Sequence, residues 1–521
     1  FSSRRRHTRL LTVTGVQTCA LPISVHSLSA IKNFLAQNSS SNSSVADISD
    51  AAISGITSHA QSVAAGDLFV ALPGKTVHGA QFCELARSRG AAAILTDQAG
   101  SQILRSTTTC DLPLIVSDSP RKHLGDLAAW FFNNPIQSMF SAGITGTNGK
   151  TTVSTLLYQL WRDASIDAGL IGTLGTFVGS ESEANTRTTP EADELHQVFA
   201  VMKERHIKNV AMEVSSHALS QHRVDGVRFS VAGFTNLTQD HLDFHGSMAD
   251  YFSAKAKLFT VERAEKAFIM VDSDYGKELL SRCEIPYVTL SRFDRSATWY
   301  VSDSTRTSTG WDISVRGEGG VLIEGSLPLL GEHNIDNSLL AIAIAVESGL
   351  DPIFVGTQLK NLRGANGRLE KVEMGQNFRA LVDYAHTPDA VERVLASARE
   401  FTEGKIIAVL GCGGDRDRSK RPLMGKALHY GADVAICTSD NPRSENPEKI
   451  LQEMTEGLTF AKPHAVITDR REAISYAISL AQPGDTVLIL GKGHESGQEI
   501  NGVIHPFSDR DELVKSIVGV R

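Results

Sequence analysis

An α/β fold of about three domains is predicted for this chain, and three observations predict it. A glycine-rich turn carrying Lys150 joins an apolar run to an amphipathic one, short apolar runs repeatedly end in polar clusters, and 521 residues leave room for several cores. With 41% hydrophobic and 21% charged residues, the composition is that of an ordinary soluble globular protein. A formal net charge of −8 argues against a general nucleic-acid binder and leaves any anion site to local basic clusters. No window reaches the roughly 18 uninterrupted apolar residues of a membrane-spanning helix. The six cysteines, Cys19, Cys83, Cys110, Cys283, Cys412 and Cys437, show neither C-x-x-C spacing nor a disulfide framework. The expectation is therefore a cytoplasmic protein without nucleic-acid or membrane partners; a monomer is expected too, though composition does not establish the oligomeric state.

Residues 1–24 fit poorly with the rest of the chain. Arg4, Arg5, Arg6 and Arg9 precede a weakly apolar run broken by Gly15 and Gln17, without the clean apolar core or cleavage site of a signal peptide. The segment resembles translated cloning or adapter sequence and is expected to be a non-native leader. From Asn38 to Ser44 a serine and asparagine run reads as a solvated loop. Beyond it, runs at 67–72, 91–95 and 113–116 read as short strands, with a helical stretch from Gln81 to Arg89, which predicts a small α/β domain over 25–138. Its Pro73-Gly74-Lys75 turn says little about function.

The central domain, expected over 139–364, is built around Gly146, Thr147, Asn148, Gly149, Lys150, Thr151 and Thr152. The lead-in from Met139 reads as a buried strand and the run to Trp161 as a helix, so the glycines fall at a strand-to-helix turn. Backbone N–H groups at such a turn approach phosphate oxygens, Lys150 reaches terminal phosphates, and the Thr151 hydroxyl suits Mg²⁺. Ile144 stands where the strict pattern has its first glycine, so this is a variant of the phosphate loop. Two further buried strands, from Asn209 and from Phe229, run into polar clusters. Ligands gather at the carboxyl ends of parallel strands. Glu213, Ser215, Ser216 and His217 therefore belong near the loop, as do Asn236, Asp240, His241, Asp243 and His245. Any one of these alone is as well read as structural.

A third α/β pattern is expected over 365–521, with strands at 379–382, 406–410, 434–438 and 486–490. Three of them lead into conspicuous loops: Gly411 to Asp417, Ser439 to Arg443 and Gly491 to Glu495. These should converge and offer Arg416 and Arg443 as carboxylate forks, Asn441 as an amide and Glu495 as an ammonium partner. The bland reading is a set of surface salt bridges. A phosphate loop together with both carboxylate and ammonium partners points to ATP-driven attachment of an amino acid through an acyl phosphate.

Read together, the motifs resemble the Mur ligase family of peptidoglycan precursor synthesis. They are Thr145-Gly146-Thr147-Asn148-Gly149-Lys150-Thr151-Thr152, Met212-Glu213-Val214-Ser215-Ser216-His217, Asp240-His241-Leu242-Asp243-Phe244-His245-Gly246, Ala254-Lys255, Asp383 to Ala390, Gly413 to Asp417, Asp440-Asn441-Pro442-Arg443 and Gly491 to Glu495. The resemblance implies a three-domain architecture with a central P-loop ATPase domain and a Rossmann-like C-terminal domain. It implies ATP as co-substrate, Mg²⁺ held by Thr151, Glu213, His241 and a carbamylated Lys255, and a catalytic set of Lys150, Lys255 and His241. Arg368 and Asp383 correspond to nucleotide contacts from the third domain. Thr188, Thr189, Ser215, Gln221 and Arg223 correspond to positions that hold UDP-N-acetylmuramoyl-L-alanyl-D-glutamate. Asp440, Asn441, Pro442 and Arg443 resemble the signature of the members that add meso-2,6-diaminopimelate, with Arg416, Gly491 and Glu495 completing the pocket. An arginine fork facing the distal carboxylate of diaminopimelate would be left unpaired by lysine, so it selects against lysine as well.

The chain departs from the family pattern at His59-Ala60-Gln61, His78, Arg187 and Met270. The competing readings are a lysine-adding ligase, a folylpolyglutamate synthase-like ligase and, in a different class, a non-catalytic nucleotide-binding protein of the same fold.

Overall fold

The computed structural model describes residues 24–38, 50–74, 76–107, 111–183, 185, 187–459 and 463–519. The expected leader before residue 24, the loop from 39 to 44 and Lys75 lie outside the described residues. The chain divides into two compact units. One comprises the chain up to Leu237 with Ala249–Leu290 and Ala343–Leu350, and the other comprises Thr238–Met248, Ser291–Ile342 and the chain from Asp351.

In the first unit, helix α1 (Leu28–Asn38) precedes four short parallel strands, β1 (Gly55–Thr57), β2 (Asp67–Ala71), β3 (Ala93–Thr96) and β4 (Leu114–Val116), hydrogen-bonded in that order. Every residue of β2 and β3 is buried, as expected where a parallel sheet is covered on both faces. Helix α2 (Pro120–Phe131) starts with proline at its first position and packs Leu124, Leu127 and Phe131 against Ile31, Leu35, Leu68 and Val70. The helix from Leu28 and the one from Pro120 are not among the elements read from the sequence.

A second sheet of this unit is built on β5 (Phe140–Thr145), followed by α3 (Lys150–Asp163). It continues with β6 (Ala168–Gly172), β7 (Gly175–Val178), β8 (Glu181–Glu183), α4 (Ala192–Glu204), β9 (Asn209–Glu213), the short helix α5 (Ser216–Ser220), β10 (Phe229–Phe234), α6 (Met248–Ala256), β11 (Ala264–Met270) and β12 (Tyr287–Ser291). The strand order is β8-β7-β6-β9-β5-β10-β11-β12. β5 lies between β9 and β10 and is parallel to both. The turn after β5 and the residues that directly follow β9 and β10, as far as Asn236, therefore share one carboxyl edge.

The second unit holds an antiparallel meander, β13 (Trp299–Arg306), β14 (Trp311–Arg316) and β15 (Leu322–Leu327). It also holds a sheet of β16 (Arg379–Asp383), β17 (Ile406–Cys412), β18 (Val434–Ser439), β19 (His464–Val466) and β20 (Thr486–Leu490). Those five strands are parallel in the order β16-β20-β17-β18-β19. Helices α7 (Pro388–Phe401), α8 (Lys420–Gly431) and α9 (Pro447–Thr455) bury Leu395, Leu428 and Met454 in one core. Helices α10 (Arg470–Leu480) and α11 (Asp509–Gly519) contribute Ile474, Leu513 and Ile517 to another. A hairpin, β21 (Gly497–Ile500) with β22 (Val503–Pro506), follows β20. Among the described residues, no helix is long and apolar enough to cross a membrane. Cys283, Cys412 and Cys437 are free thiols, whereas Cys83 is disulfide-bonded, a departure from the reading of six scattered thiols.

Candidate active site

After β5 the backbone enters a cradle. Gly146 has φ +149, and a Cβ there would sit 1.9 Å from Thr235 Oγ1, so only glycine lets the loop close. Gly149, at φ +88, caps the helix that begins at Lys150. The loop is braced from the end of β10. Thr147 N donates to Asn236 O at 2.9 Å, Asn148 N donates to Asn236 Oδ1 at 3.0 Å, and Thr235 Oγ1 donates to Asn148 O at 2.6 Å. Lys150 Nζ curls over the loop and donates to Gly146 O at 3.0 Å and Thr147 O at 2.9 Å. Lys255, on α6 and 2% exposed, donates to the same Gly146 carbonyl at 2.7 Å, with its ammonium 4.7 Å from the centre of the Tyr251 ring. Tyr251 reaches the loop through Thr147, hydroxyl to hydroxyl at 3.1 Å. Two lysines thus face one glycine turn at the start of a helix, an anion-accepting arrangement.

Beside the loop, Thr151 Oγ1 donates to Glu213 Oε2 at 2.8 Å. Glu213 is 1% exposed and also accepts from Thr173 N at 2.7 Å and Thr173 Oγ1 at 3.1 Å. Gly172 makes room for it, because a Cβ at that position would stand 2.2 Å from Glu213 Oε1. This buried carboxylate is held by neutral donors, and with the Thr151 hydroxyl it forms a hard-oxygen pair. Mg²⁺ binds through one or two carboxylates plus waters and phosphate, so these residues fit it. No cluster of three or more His, Cys, Asp or Glu that could hold a metal occurs among the described residues.

The five residues expected to hold the UDP substrate stand together next to Glu213. Thr188 and Thr173 meet hydroxyl to hydroxyl at 3.2 Å, and Thr189 Oγ1 donates to Glu213 O at 2.9 Å. Ser215 N donates to Thr189 Oγ1 at 3.2 Å, while Arg223 donates to Thr189 O at 3.3 Å and to Gln221 Oε1 at 2.5 Å. Glu191, which the sequence reading did not single out, receives three guanidiniums: Arg121 at 3.1 Å, Arg187 at 3.4 Å and Arg223 at 3.2 Å. Nearby, Asp193 accepts from Ser58 N at 2.6 Å and Ser58 Oγ at 3.1 Å. Burial pushes its carboxyl up to about 6 against the opposing Ser58 hydrogen bond.

In the second unit, His241 has φ +53, and its N–H donates to the Asp240 carboxylate at 2.8 Å. Lys420 lies 3.7 Å from the same carboxylate. Arg368 stacks over Tyr384 with its guanidinium 4.8 Å from the ring centre. Asp383 accepts from Leu369 N at 2.7 Å and Ala385 N at 2.8 Å; burial raises its carboxyl in spite of Arg368.

The three C-terminal loops do converge. Gly414 N donates to Asn441 O at 2.9 Å, tying the loop after β17 to the one after β18. Asn441 Nδ2 donates to Glu495 Oε2 at 2.9 Å, tying in the loop after β20. Arg443, in the left-handed region at φ +51, is aimed by Glu499 at 3.1 Å and by the Gly414 carbonyl at 2.7 Å. Its side chain is half-buried rather than sealed, while Arg416 is exposed. Pro442 stacks its backbone against Gly414, where a Cβ would meet Pro442 O at 1.9 Å. Gly491, at φ +112, leaves room for the Asp440 carboxylate, 2.7 Å from where its Cβ would be. Arg421, 1% exposed, grips Glu445 and Glu453 and donates to Gly413 O at 3.2 Å, fixing the loop after β17 from behind.

Glycine cradle, hydroxyl–carboxylate pair and a loop cluster of mixed charge define an α/β enzyme of the phosphate-loop class. Three family models match the chain: Mur ligase family, catalytic domain, over residues 52–132; Mur ligase middle domain over 144–345; and Mur ligase, glutamate ligase domain, over 367–493. The UDP-N-acetylmuramoyl-L-alanyl-D-glutamate--2,6-diaminopimelate ligase of Streptomyces coelicolor is 46% identical over 473 residues, covering 90% of this chain and 93% of its own. The UDP-N-acetylmuramyl-tripeptide synthetase of Leifsonia xyli subsp. xyli is 41% identical over 474 residues, covering 89% and 92%. A solved UDP-N-acetylmuramoyl-L-alanyl-D-glutamate--2,6-diaminopimelate ligase superposes with a TM-score of 0.64 at 32% identity, covering 90% of this chain and 95% of that one. The chain belongs to the Mur ligase family.

Proposed function

We propose that this protein is an ATP-dependent ligase that joins meso-2,6-diaminopimelate to UDP-N-acetylmuramoyl-L-alanyl-D-glutamate in cytoplasmic peptidoglycan precursor synthesis, acting as a monomer. The observation that carries the reading is the composition of the pocket at 440–443 and 495. It sets the Glu495 carboxylate, the Asn441 amide and the Arg443 guanidinium within one hydrogen-bonded loop cluster. A zwitterion with a second carboxylate matches that set, and lysine would bring no distal carboxylate to the guanidinium that Glu499 holds in place. We assign binding of the UDP substrate to 25–138 with Thr188, Thr189, Ser215, Gln221 and Arg223, phosphoryl transfer to 139–364, and amino-acid binding to 365–521.

In the reaction, a substrate carboxylate oxygen attacks the terminal phosphorus of ATP and ADP leaves. The amine of diaminopimelate then attacks the acyl phosphate carbon, expels inorganic phosphate and loses a proton. Gly146 to Thr152 cradle the phosphates, and Lys150 neutralises charge on the transferred group. Thr151, Glu213 and a carbamylated Lys255 would hold Mg²⁺, which neutralises phosphate charge when bound. Carbamylation would exchange the Lys255 ammonium, now on Gly146 O, for oxygen ligands. Labelling the acceptor carboxylate with heavy oxygen tests the route: one labelled oxygen should appear in the released phosphate. Unlabelled phosphate would overturn the acyl-phosphate mechanism.

A further inference from the structure

Lys492 sits in the loop after β20 with its side chain fully enclosed, at 0% exposure. A lysine is almost never sealed unless it is paired, and here the pairing is specific. Its ammonium donates to Asn441 Oδ1 at 3.0 Å and Glu495 Oε2 at 2.9 Å and lies 3.9 Å from Asp440. Asn441 Oδ1 also accepts from Glu499 N at 3.0 Å, so both lone pairs of that oxygen are used. The amide orientation is thereby fixed. Asn441 must present N–H, one hydrogen going to Glu495 Oε2 and the second making no hydrogen bond among the described residues. Glu495 Oε2 is occupied twice, whereas Oε1 accepts no hydrogen bond among the described residues.

We propose that Lys492 is the positioning residue of the amino-acid pocket, setting Asn441 as donor toward a ligand carboxylate and Glu495 as acceptor toward a ligand ammonium. The inference rests on the reading of this pocket as the amino-acid site. Lys492 is backed by a second buried cation. Arg470, on α10, pairs with Asp509 at 2.7 Å with both side chains sealed, and it donates to Leu490 O at 2.8 Å and Ser439 O at 3.4 Å. Those carbonyls end β20 and β18, the strands that deliver Lys492 and Asn441. Asp440, Lys492 and Glu495 thus continue an alternation of charge that begins at Asp509, and removing Lys492 leaves the buried Asp440 and the half-buried Glu495 as neighbouring anions. The charged and titratable groups around Glu495 are Lys492, His494, Asp440, Tyr384 and Arg470. Burial pushes the Glu495 carboxyl up, but the Lys492 ammonium and the hydrogen bonds from Lys492 and Asn441 hold it below the usual range.

The test compares wild type with Lys492→Met and Lys492→Arg. KM is measured separately for ATP, the UDP-muramyl dipeptide and the amino acid, and kcat/KM for the amino acid is followed against pH. The expected result for Lys492→Met is a rise of about tenfold or more in KM for the amino acid, as for loss of a charge-assisted bond. KM for the other two substrates should stay within about twofold, and the acid limb should move to higher pH as Glu495 loses its cation. Lys492→Arg should recover part of the loss. Introducing Glu495→Gln first should abolish the pH shift. An equal rise in all three KM values, or an unmoved acid limb, overturns the proposal. If Lys492→Met does not fold, the neutral but polar Lys492→Gln takes its place, and an unchanged KM for the amino acid and an unmoved acid limb there overturn the proposal. Wild type preferring another amino acid would defeat the substrate reading alone, and the same series on that amino acid would still judge Lys492.

Discussion

In the function proposed above Arg443 carries the substrate choice, and its surroundings say how it could. Glu499 and the Gly414 carbonyl aim its guanidinium without enclosing it, so it can meet an incoming carboxylate while remaining tethered. A charge-assisted bond to a partly buried carboxylate is worth about 1.5–3 kcal/mol, so Arg443→Ala should lower kcat/KM for diaminopimelate by roughly ten- to a hundredfold. Lysine, with no distal carboxylate, should lose far less, and equal losses would mean that Arg443 only shapes its loop. Lys255 makes the second case. Lys255→Ala should be nearly inactive and partly restored by formate or acetate supplying the missing oxygens, whereas full activity without rescue would remove it from the site. Both residues are singled out by the sequence because each sits in a contiguous motif. The roles of Lys492, Arg470 and Glu191 are not, since each has a partner across the fold: Lys492, though inside a contiguous motif, meets Asn441 over 51 residues of chain, Arg470 meets Asp509 over 39, and Glu191 meets Arg121 over 70. A lysine or arginine read in isolation defaults to a solvated side chain, and only packing turns it into a buried pair.

Among the elements, the strands that lead into loops were the readable part. The runs at 209–213, 229–234 and 486–490 have apolar centres and are buried throughout or nearly so because parallel strands are covered on both faces. The helix from Pro120 was harder, since its buried face is marked by alanine, glycine and leucine among basic residues rather than by a clean apolar stripe. Loop closure is testable at Gly491. Its φ of +112 and its contact with Asp440 predict that Gly491→Ala costs about 1–3 kcal/mol of stability and lowers turnover of the amino acid. Unchanged melting and activity would contradict the strained turn. Where the Ser58 loop meets α4, Asp193 makes stability depend on pH. Its carboxyl is raised from an ordinary 3.8 to about 6, so the folded state binds its proton more tightly than the unfolded one. The contribution is full below the unfolded value and is lost as pH rises through about 6. In Asp193→Asn, which still accepts from Ser58 N, the fall in melting temperature across that window should flatten, and an identical slope in both proteins would refute the assignment.

At the scale of the whole molecule, the α/β class followed from strand and helix alternation, and the architecture from the order of eight motifs along the chain. The seam between units did not follow. Residues 238–248 group with the second unit although the chain on either side of them belongs to the first, a long-range grouping that no local pattern encodes. The function proposed for the intact chain makes one demand that none of its parts makes alone: ATP turnover must wait for both other substrates, because phosphoryl transfer needs the acceptor carboxylate and release needs the amine. The most direct test is amino-acid-dependent ADP release by the full chain with Mg²⁺ and UDP-N-acetylmuramoyl-L-alanyl-D-glutamate, comparing meso-2,6-diaminopimelate with lysine. The account predicts strong stimulation by diaminopimelate, little by lysine and little ADP without the dipeptide substrate. Preference for lysine, or ADP release indifferent to either amino acid, would contradict it.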